Sequence, residues 1–275
     1  MPQTGATFSV WEACLLGVVQ GLTEFLPVSS SGHLALVQHF LTPMPAGEKV
    51  AVDVALHIGT LAAVLFYFRR ELLDMAGALI GREAEPYARS WVWLLALATL
   101  PAALVGLPLK DRIEAAFDSL PLMGGCFLVT GVLLFLASAV RGAYGTEEEL
   151  RPRDALVVGC FQAVALLPGV SRSGSTISAG LFRRARADVA AKFSFLLGIP
   201  AVAGAVASEA RALSQLAPGT WGPLAIGVLV SAATGLAAIA VLLRLVRGGK
   251  LRYFAYYCWL LGSAVLVGSA LSGGA

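Results

Sequence analysis

Six apolar runs, each close to 20 residues long, constrain this chain more than any other feature of its sequence. A helix needs about 20 mostly apolar residues to cross the hydrocarbon core of a bilayer. Charged residues make up only 13% of the chain, against about 25% in soluble domains. The sequence therefore predicts an all-α integral membrane protein. The predicted spans are residues 50–68, 90–109, 120–140, 189–208, 221–243 and 253–271.

Two further apolar stretches, 8–41 and 154–182, are interrupted near their middles by polar turn sequences. The interruptions read PVSSSGH and PGVSRSG, and Pro, Gly and Ser at such positions end a continuous helix. Each stretch is predicted to be a re-entrant helix-loop-helix hairpin that enters the membrane and returns to its starting side. The alternative is that each stretch crosses the membrane.

The distribution of basic residues favours the hairpins. If both stretches return to their starting sides, fourteen basic residues that flank the spans fall on one side and four on the other, with Arg172 and Lys192 left out. Because cytoplasmic loops are enriched in Lys and Arg, the richer side is predicted to be cytoplasmic. The first hairpin then enters from the outer face and the second from the cytoplasmic face.

The two interrupted stretches are copies of one sequence. Residues 17–33 and 159–175 share six identities in seventeen aligned positions, where composition alone gives about one or two. Broken helices in an inverted-topology repeat are a known way to build a site near the bilayer midplane. We predict a single membrane domain over residues 1–275, with repeat halves of about 1–140 and 154–275.

Each interruption is followed by a helix whose first turn is rich in Ser and Gly. The free N–H groups of such a turn bind phosphate readily, and successive Ser and Gly residues form a concave nest of donors. Two of these helix ends, approaching from opposite sides, would hold a diphosphate. The plainer interpretation is that Ser and Gly only turn the chain. The residues predicted to bind an anionic substrate are Ser29, Ser31, Gly32, Ser171, Ser173 and Gly174.

The positions at which the copies differ carry the reactive side chains, and together these are the parts that phosphoryl transfer needs. Ionisable groups at membrane depth are costly and by default mark function. The first copy has Glu24, Ser30 and His33, where the second has Leu166, Arg172 and Ser175.

Among these catalytic candidates, Ser30 is the preferred nucleophile, His33 the second choice and water the third. Glu24 would act as a base towards Ser30 or a water, and His33 would take or deliver a proton or attack phosphorus itself. Arg172 offers a fork of donors that suits phosphate oxygens.

Gln20 and Glu24 lie four residues apart and so share a helix face. There they would offer oxygen ligands to a divalent cation, Mg²⁺ or Ca²⁺, with Gln20 the weaker ligand because it is neutral. Asp53 and His57 have the same spacing in the first span. We expect that second pair to be mutually satisfied and to support the site.

The sequences QGLTEFLPVSSSGH and LPGVSRSGSTISAG together resemble the two signature motifs of the undecaprenyl-diphosphate phosphatases, the bacitracin-resistance family. The similarity continues through DVALHIGTLAAV and AAKFSFLLGIPA and covers nearly the whole chain in order. It implies a bacterial plasma-membrane enzyme that hydrolyses undecaprenyl diphosphate to undecaprenyl phosphate and inorganic phosphate, recycling the lipid carrier of cell-wall synthesis. It also implies a divalent cation, a homodimer and a site open to the periplasmic side.

The resemblance assigns roles to particular residues. The family's first motif is matched by Gln20, Glu24, Ser30 and His33, and its second by Ser171, Arg172 and Thr176. Thr176 thereby joins the residues expected to bind substrate. Many members have Glu where this chain has Gln20, and this difference weakens any scheme that needs two carboxylates on the metal.

Two other protein functions share features with this sequence. Inverted repeats with broken helices are also typical of transporters, so a prenyl-lipid flippase is the main alternative. The type 2 phosphatidic acid phosphatases share an SGH element, but they need a histidine soon after the arginine, and none follows Arg172. Nucleic-acid binding is not expected, because no basic block with interleaved aromatics is present.

Overall fold

A computed structural model describes residues 8–39, 41, 44–140 and 150–272. Within these ranges every regular element is helical. Two short 3₁₀ helices, Ala210–Gln215 and Pro218–Thr220, connect the helix that ends at Glu209 to the helix that begins at Trp221. The α-helices are α1 (Val10–Phe25), α2 (Ser30–His39), α3 (Ala46–Tyr67), α4 (Arg69–Leu79), α5 (Ala88–Gly106), α6 (Lys110–Ala116), α7 (Leu120–Ser138), α8 (Pro152–Val164), α9 (Arg172–Phe182), α10 (Ala187–Glu209), α11 (Trp221–Arg247) and α12 (Leu251–Ser272).

The six predicted spans are confirmed as helices. In the described part of the chain, α3, α5, α7, α10, α11 and α12 are long and apolar enough to cross a membrane. Their ends agree with the predicted ends to within about four residues, which is the usual precision of helix boundaries read from sequence. The prediction of an all-α integral membrane protein is therefore confirmed.

The two interrupted stretches form helix pairs, α1 with α2 and α8 with α9, and the members of each pair pack against each other. The longest of these four helices, α1, has 16 residues, which extend about 24 Å at 1.5 Å per residue. The hydrocarbon core of a bilayer is about 30 Å thick. Each short helix is therefore too short to cross it alone.

Each pair folds back, so that both of its ends lie at the same end of the helix bundle. In the first pair, Phe8 and Leu41 belong to one apolar cluster that also contains Leu224, at the start of α11. In the second pair, Asp154 Oδ1 accepts a hydrogen bond from Arg183 Nε at 2.7 Å, which joins the start of α8 to the end of α9.

The two hairpins point in opposite directions along the bundle. The first shares its apolar cluster with the beginning of α11. The second packs in the cluster that contains Val246, near the end of α11, and Leu251, at the start of α12. The two helix pairs therefore lie against opposite ends of α11, and their re-entry into a membrane from opposite faces stays a prediction.

Aligned glycines let each hairpin approach a long helix closely. A Cβ on Gly17 of α1 would lie 2.5 Å from the carbonyl oxygen of Gly227 on α11. A Cβ on Gly159 of α8 would overlap the carbonyl oxygen of Ala98 on α5. Small residues at such crossings allow backbones to pack in membrane proteins. The Gly17/Gly159 identity in the repeat is therefore explained by packing.

Candidate active site

The breaks in the two hairpins meet inside the bundle. Ser173 Oγ donates a hydrogen bond to the carbonyl oxygen of Leu26 at 3.2 Å. A Cβ on Gly32 would come within 3.3 Å of the Cα of Gly169 in the other break. Thr130, which contacts the second break, lies near the middle of α7. The meeting point is therefore at mid-depth of the predicted spans, where irregular backbone needs protein or water partners.

Serine side chains cap the first turns of α2 and α9, as the sequence predicts. The amide N–H of Gly174 donates to Ser171 Oγ at 3.1 Å, and the amide N–H of Gly32 donates more weakly to Ser29 Oγ at 3.5 Å. Other N–H groups in a first helical turn have no carbonyl partner within their own helix. The positive ends of α2 and α9 thus face the space between the breaks.

The backbone differs at the aligned cap positions. Ser171 has φ −74°, which is ordinary for a helix cap. Ser29 has φ +71°, in the left-handed region, where a residue with a side chain is disfavoured by about 1 kcal/mol or more. Strained backbone of this kind is often found at functional sites. In this protein it immediately precedes Ser30.

Glu24 joins the reactive side chains of the two copies. Its Oε2 accepts a hydrogen bond from Ser30 Oγ at 2.6 Å, and its Oε1 accepts one from Arg172 Nη2, also at 2.6 Å. Glu24 is almost completely buried. The structure therefore brings together three of the four predicted catalytic residues, with a carboxylate placed to take the proton of a serine hydroxyl.

A small polar cavity of about 50 Å³ lies beside this cluster. A water molecule needs about 10–15 Å³ of such space, so the cavity has room for a few waters or for part of an anionic group. Residues from both breaks form its walls, including three of the serines predicted to bind substrate. Its lining is Thr23, Glu24, Ser29, Ser30, Ser31, Ala165, Val170, Ser171 and Arg172.

The other predicted substrate-binding residues lie behind this surface. Gly32 packs closely on Phe127, and Gly174 approaches Pro27. Ser173 is bonded to Leu26, as described above. Thr176 Oγ1 donates to the carbonyl oxygen of Arg172 at 2.8 Å. In this structure these residues hold the two breaks and the start of α9 in place, and a direct contact with substrate stays a prediction.

His33 faces away from Ser30. Its Nδ1 lies 2.7 Å from the carbonyl oxygen of Ser29, and its Nε2 lies 2.6 Å from the hydroxyl of Tyr257 on α12. Both ring nitrogens are therefore occupied by groups outside the Glu24 cluster. The proton of Ser30 is directed to Glu24, which favours Ser30 over His33 as the nucleophile.

Gln20 and Glu24 do share a face of α1, as their spacing predicts. Gln20 Nε2 donates to Glu24 Oε2 at 3.2 Å, whereas Gln20 Oε1 is buried and has no hydrogen-bond partner in the described structure. An orphaned amide oxygen beside a carboxylate is a donor set that suits a hard cation.

The described residues contain no group of three or more His, Cys, Asp or Glu side chains that could hold a metal ion. Gln20 and Glu24 would be the predicted protein ligands, and phosphate oxygens and water would complete the shell, as is common for Mg²⁺. The residues present fit a cation bound together with the substrate.

Asp53 and His57 do not pair through their side chains in the way we expected. Asp53 Oδ1 accepts a hydrogen bond from Gln38 Nε2 at 2.7 Å, and His57 Nδ1 bonds the backbone oxygen of Asp53. His57 Nε2 instead lies 3.7 Å from Glu24 Oε2. The spacing of one helical turn allows His57 Nδ1 to bond the backbone oxygen of Asp53. The other ring nitrogen, Nε2, is therefore directed towards Glu24.

Helix α10 positions the Arg172 guanidinium, a contact that the sequence motifs do not predict. The Arg172 guanidinium donates to the carbonyl oxygen of Ser194 at 3.3 Å. A Cβ on Gly198 would overlap the same guanidinium. Both residues lie in the stretch AAKFSFLLGIPA, which the sequence comparison with the family already includes. A Ser and a Gly in an apolar span do not by themselves indicate a contact with arginine.

Thr130 of α7 fixes the second break and was also missed. Its Oγ1 donates to the carbonyl oxygen of Gly169 at 3.1 Å and accepts from the amide N–H of Ser171 at 3.0 Å. A polar residue that is 1% exposed at the centre of an apolar span was the available signal.

Residues 13–264 match the family described as bacitracin resistance protein BacA. The chain belongs to this family. Among similar proteins, one from Syntrophotalea carbinolica is 45% identical over 256 residues, which cover 92% of this chain and 97% of the relative. A protein from Desulfatibacillum aliphaticivorans is 44% identical, with 93% and 97% covered. Both BacA relatives are named undecaprenyl-diphosphatase.

Proposed function

We propose that this BacA-family protein hydrolyses undecaprenyl diphosphate to undecaprenyl phosphate and inorganic phosphate. The reaction recycles the lipid carrier of cell-wall synthesis and gives bacitracin resistance. The observation that carries the proposal is the buried Glu24 carboxylate, which accepts hydrogen bonds from Ser30 and Arg172 at 2.6 Å between two helix N-termini. The names of the relatives indicate the same reaction.

In the proposed mechanism the diphosphate enters between the breaks, and Arg172 exchanges Glu24 for a phosphate oxygen. Without the charge of Arg172 beside it, the Glu24 carboxylate takes a proton more readily. Ser30 Oγ attacks the terminal phosphorus as its proton passes to Glu24, and the bond to the bridging oxygen breaks. Undecaprenyl phosphate leaves, and water then releases inorganic phosphate from Ser30.

Ser29, Ser31 and Ser171 line the cavity in which the phosphate groups would be held. With the first-turn N–H groups of α2 and α9 they would stabilise the negative charge that develops during transfer. A bound Mg²⁺ or Ca²⁺, held by Glu24 and Gln20, would supply further neutralisation of phosphate charge.

The ion pair of Glu24 and Arg172 also has apolar neighbours. A second, smaller cavity beside Glu24 and Arg172 is lined by the apolar side chains of Phe25, Leu61 and Phe195, among others. Both cavities contain Glu24 and Arg172 in their walls, so the charged pair has polar and apolar neighbours. The apolar cavity, of about 10 Å³, has room for no more than about one water.

We further propose that the protein lies in the bacterial inner membrane, with its site open to the periplasmic side, and that it works as a homodimer. The excess of basic residues at one side of the spans supports the orientation.

The test is phosphate release from undecaprenyl diphosphate by purified protein, with undecaprenyl monophosphate as the product. Glu24→Ala and Arg172→Ala should each lower turnover by about a thousandfold. Asp188→Asn, which removes an exposed ion pair with Arg186, is the control and should keep wild-type turnover. Unchanged turnover in both cluster variants would contradict the mechanism.

The same preparation separates hydrolysis from the flippase alternative. In liposomes, a flippase would move prenyl lipid between leaflets without releasing phosphate, and that movement would persist in the Glu24 and Arg172 variants. The proposed phosphatase should instead release phosphate and lose this activity in both.

A further inference from the structure

Tyr257, on the last helix of the chain, makes a polar contact that the proposed mechanism does not use. Its hydroxyl lies 2.6 Å from His33 Nε2, and the two rings stack with centroids 5.7 Å apart. The Phe127 ring is nearly perpendicular to the imidazole, with its centroid 5.4 Å away. The His33 ring thus contacts two aromatic rings, and both of its nitrogens have polar partners.

The hydrogen bonds determine which nitrogen carries the proton. A backbone carbonyl oxygen can only accept, so His33 Nδ1 must donate to Ser29 in either charge state of the ring. Nε2 is then the only atom at which this ring can exchange a proton. The Tyr257 hydroxyl suits both states, because it donates to the lone pair of the neutral ring and accepts from the charged one.

The contact also connects two parts of the chain that are far apart in sequence. Residues 33 and 257 are separated by 224 positions, and the neighbouring Cys258 lies against the carbonyl oxygen of Pro27, just before the strained Ser29. Helix α12 therefore holds both the first break and the histidine that follows it.

We propose that Tyr257 is a positioning residue for phosphoryl transfer, which acts by holding His33 with Nε2 as its single proton-exchanging atom. The inference rests on the proposed phosphatase function and leaves the Ser30 proton with Glu24. It adds a role for His33 as the group that takes a proton in the later step, in which water releases phosphate from Ser30. The tyrosine acts through the histidine and not on the substrate.

The kinetic test uses Tyr257→Phe, which keeps the stacked ring and removes only the hydroxyl. Loss of one hydrogen bond to the reacting group should lower kcat about tenfold and leave KM nearly unchanged. Tyr256→Phe is the matched control, because Tyr256 is the adjacent, similarly exposed tyrosine of α12 and contacts Phe135 and Trp259. It should retain wild-type kcat.

A double-variant cycle distinguishes positioning from a general structural effect. In a His33→Gln background, Tyr257→Phe should lower kcat no further. An equal loss in both backgrounds, or no loss in the wild-type background, would overturn the proposal.

A spectroscopic measurement tests the same contact without any activity. The chain has three histidines, so ¹⁵N-histidine labelling gives few signals, and His33→Gln identifies those of residue 33. The wild type should show the Nδ1–H form, and Tyr257→Phe should show a mixture of forms. If the wild type releases no phosphate, the proposed function fails, while an unchanged His33 signal in Tyr257→Phe contradicts the positioning role independently.

Discussion

The two hairpins have similar sequences, but their aligned residues make different contacts. Gln20 and Gln162 are aligned and both buried, but Gln20 bonds Glu24 and Thr60, whereas neither polar atom of Gln162 has a partner in the described structure. Only the first hairpin has a left-handed residue in its break other than glycine. The first copy therefore concentrates the hydrogen bonds and the strain around the nucleophile.

The second hairpin is braced from outside instead. Thr130 of α7 holds its break, and Ser194 and Gly198 of α10 hold Arg172. The comparison teaches that two similar helix ends have different neighbours: the first carries Glu24 and Ser30, and the second presents the Arg172 guanidinium held by α10.

The largest effect is expected when Arg172 is replaced by serine, the residue at the aligned position of the first hairpin. Arg172→Ser makes the two frames more alike and removes the only arginine among the residues that line the cavity. Phosphate release should fall by about a thousandfold, the scale on which an arginine stabilises phosphoryl transfer. Added guanidinium should restore part of the activity. Arg186→Gln, on an exposed loop, is the control, and a similar loss there would contradict this interpretation.

A smaller loss is expected from crowding the same guanidinium. Gly198→Ala places a methyl group on Arg172 and should lower kcat/KM by about tenfold to a hundredfold, because misplacement of about 1 Å costs on this scale. Gly204→Ala is the matched control, since its Cβ on the same helix would meet nothing within 4 Å. Equal kinetics for the two alanine variants would show that α10 does not position Arg172.

The aligned glutamines should respond in opposite ways to the same substitution. Gln20→Leu removes a bond to Glu24 and should lower turnover about tenfold and weaken the dependence on divalent cation. Gln162→Leu removes unpartnered polar atoms and should leave turnover unchanged while raising stability by about 1 kcal/mol. Turnover at saturating and limiting Mg²⁺, with thermal unfolding in detergent, measures both. If both variants changed turnover and stability in the same way, the two glutamines would not differ in function.

The smallest effects concern the aligned caps. Ser29→Gly relieves a left-handed conformation and loses only a weak cap, so it should stabilise the protein by about 1 kcal/mol. Ser171→Gly loses a shorter cap bond from a relaxed residue and should destabilise it by a few tenths of a kcal/mol. Thermal unfolding of the two variants side by side gives the comparison. A destabilised Ser29→Gly would mean that Ser29 is not strained.

Much of this architecture could be predicted from the chain alone. Long apolar runs specify helices almost without ambiguity, and the repeated turn sequence locates the break between α1 and α2 and the break between α8 and α9. Glu24 and Arg172 stand out because charge is costly at that depth, and Ser30 stands out because the other copy has arginine at its position. All three residues line one cavity with Ser29, Ser31 and Ser171.

The contacts between distant helices could not be predicted in this way. The identity of Ser194, Gly198 or Tyr257 says nothing of which side chain lies opposite, and one-turn spacing suggested an Asp53–His57 pair that a backbone bond replaces. Tertiary packing decides such contacts, and one sequence records it only as ordinary small or aromatic residues.

The bond between Glu24 and Arg172 has a consequence for the two halves of the chain. Glu24 comes from the first hairpin and Arg172 from the second, so the ion pair forms only when both halves of the chain are present. Loss of either half would separate the acid from the arginine, and the 2.6 Å contact therefore makes each half dependent on the other.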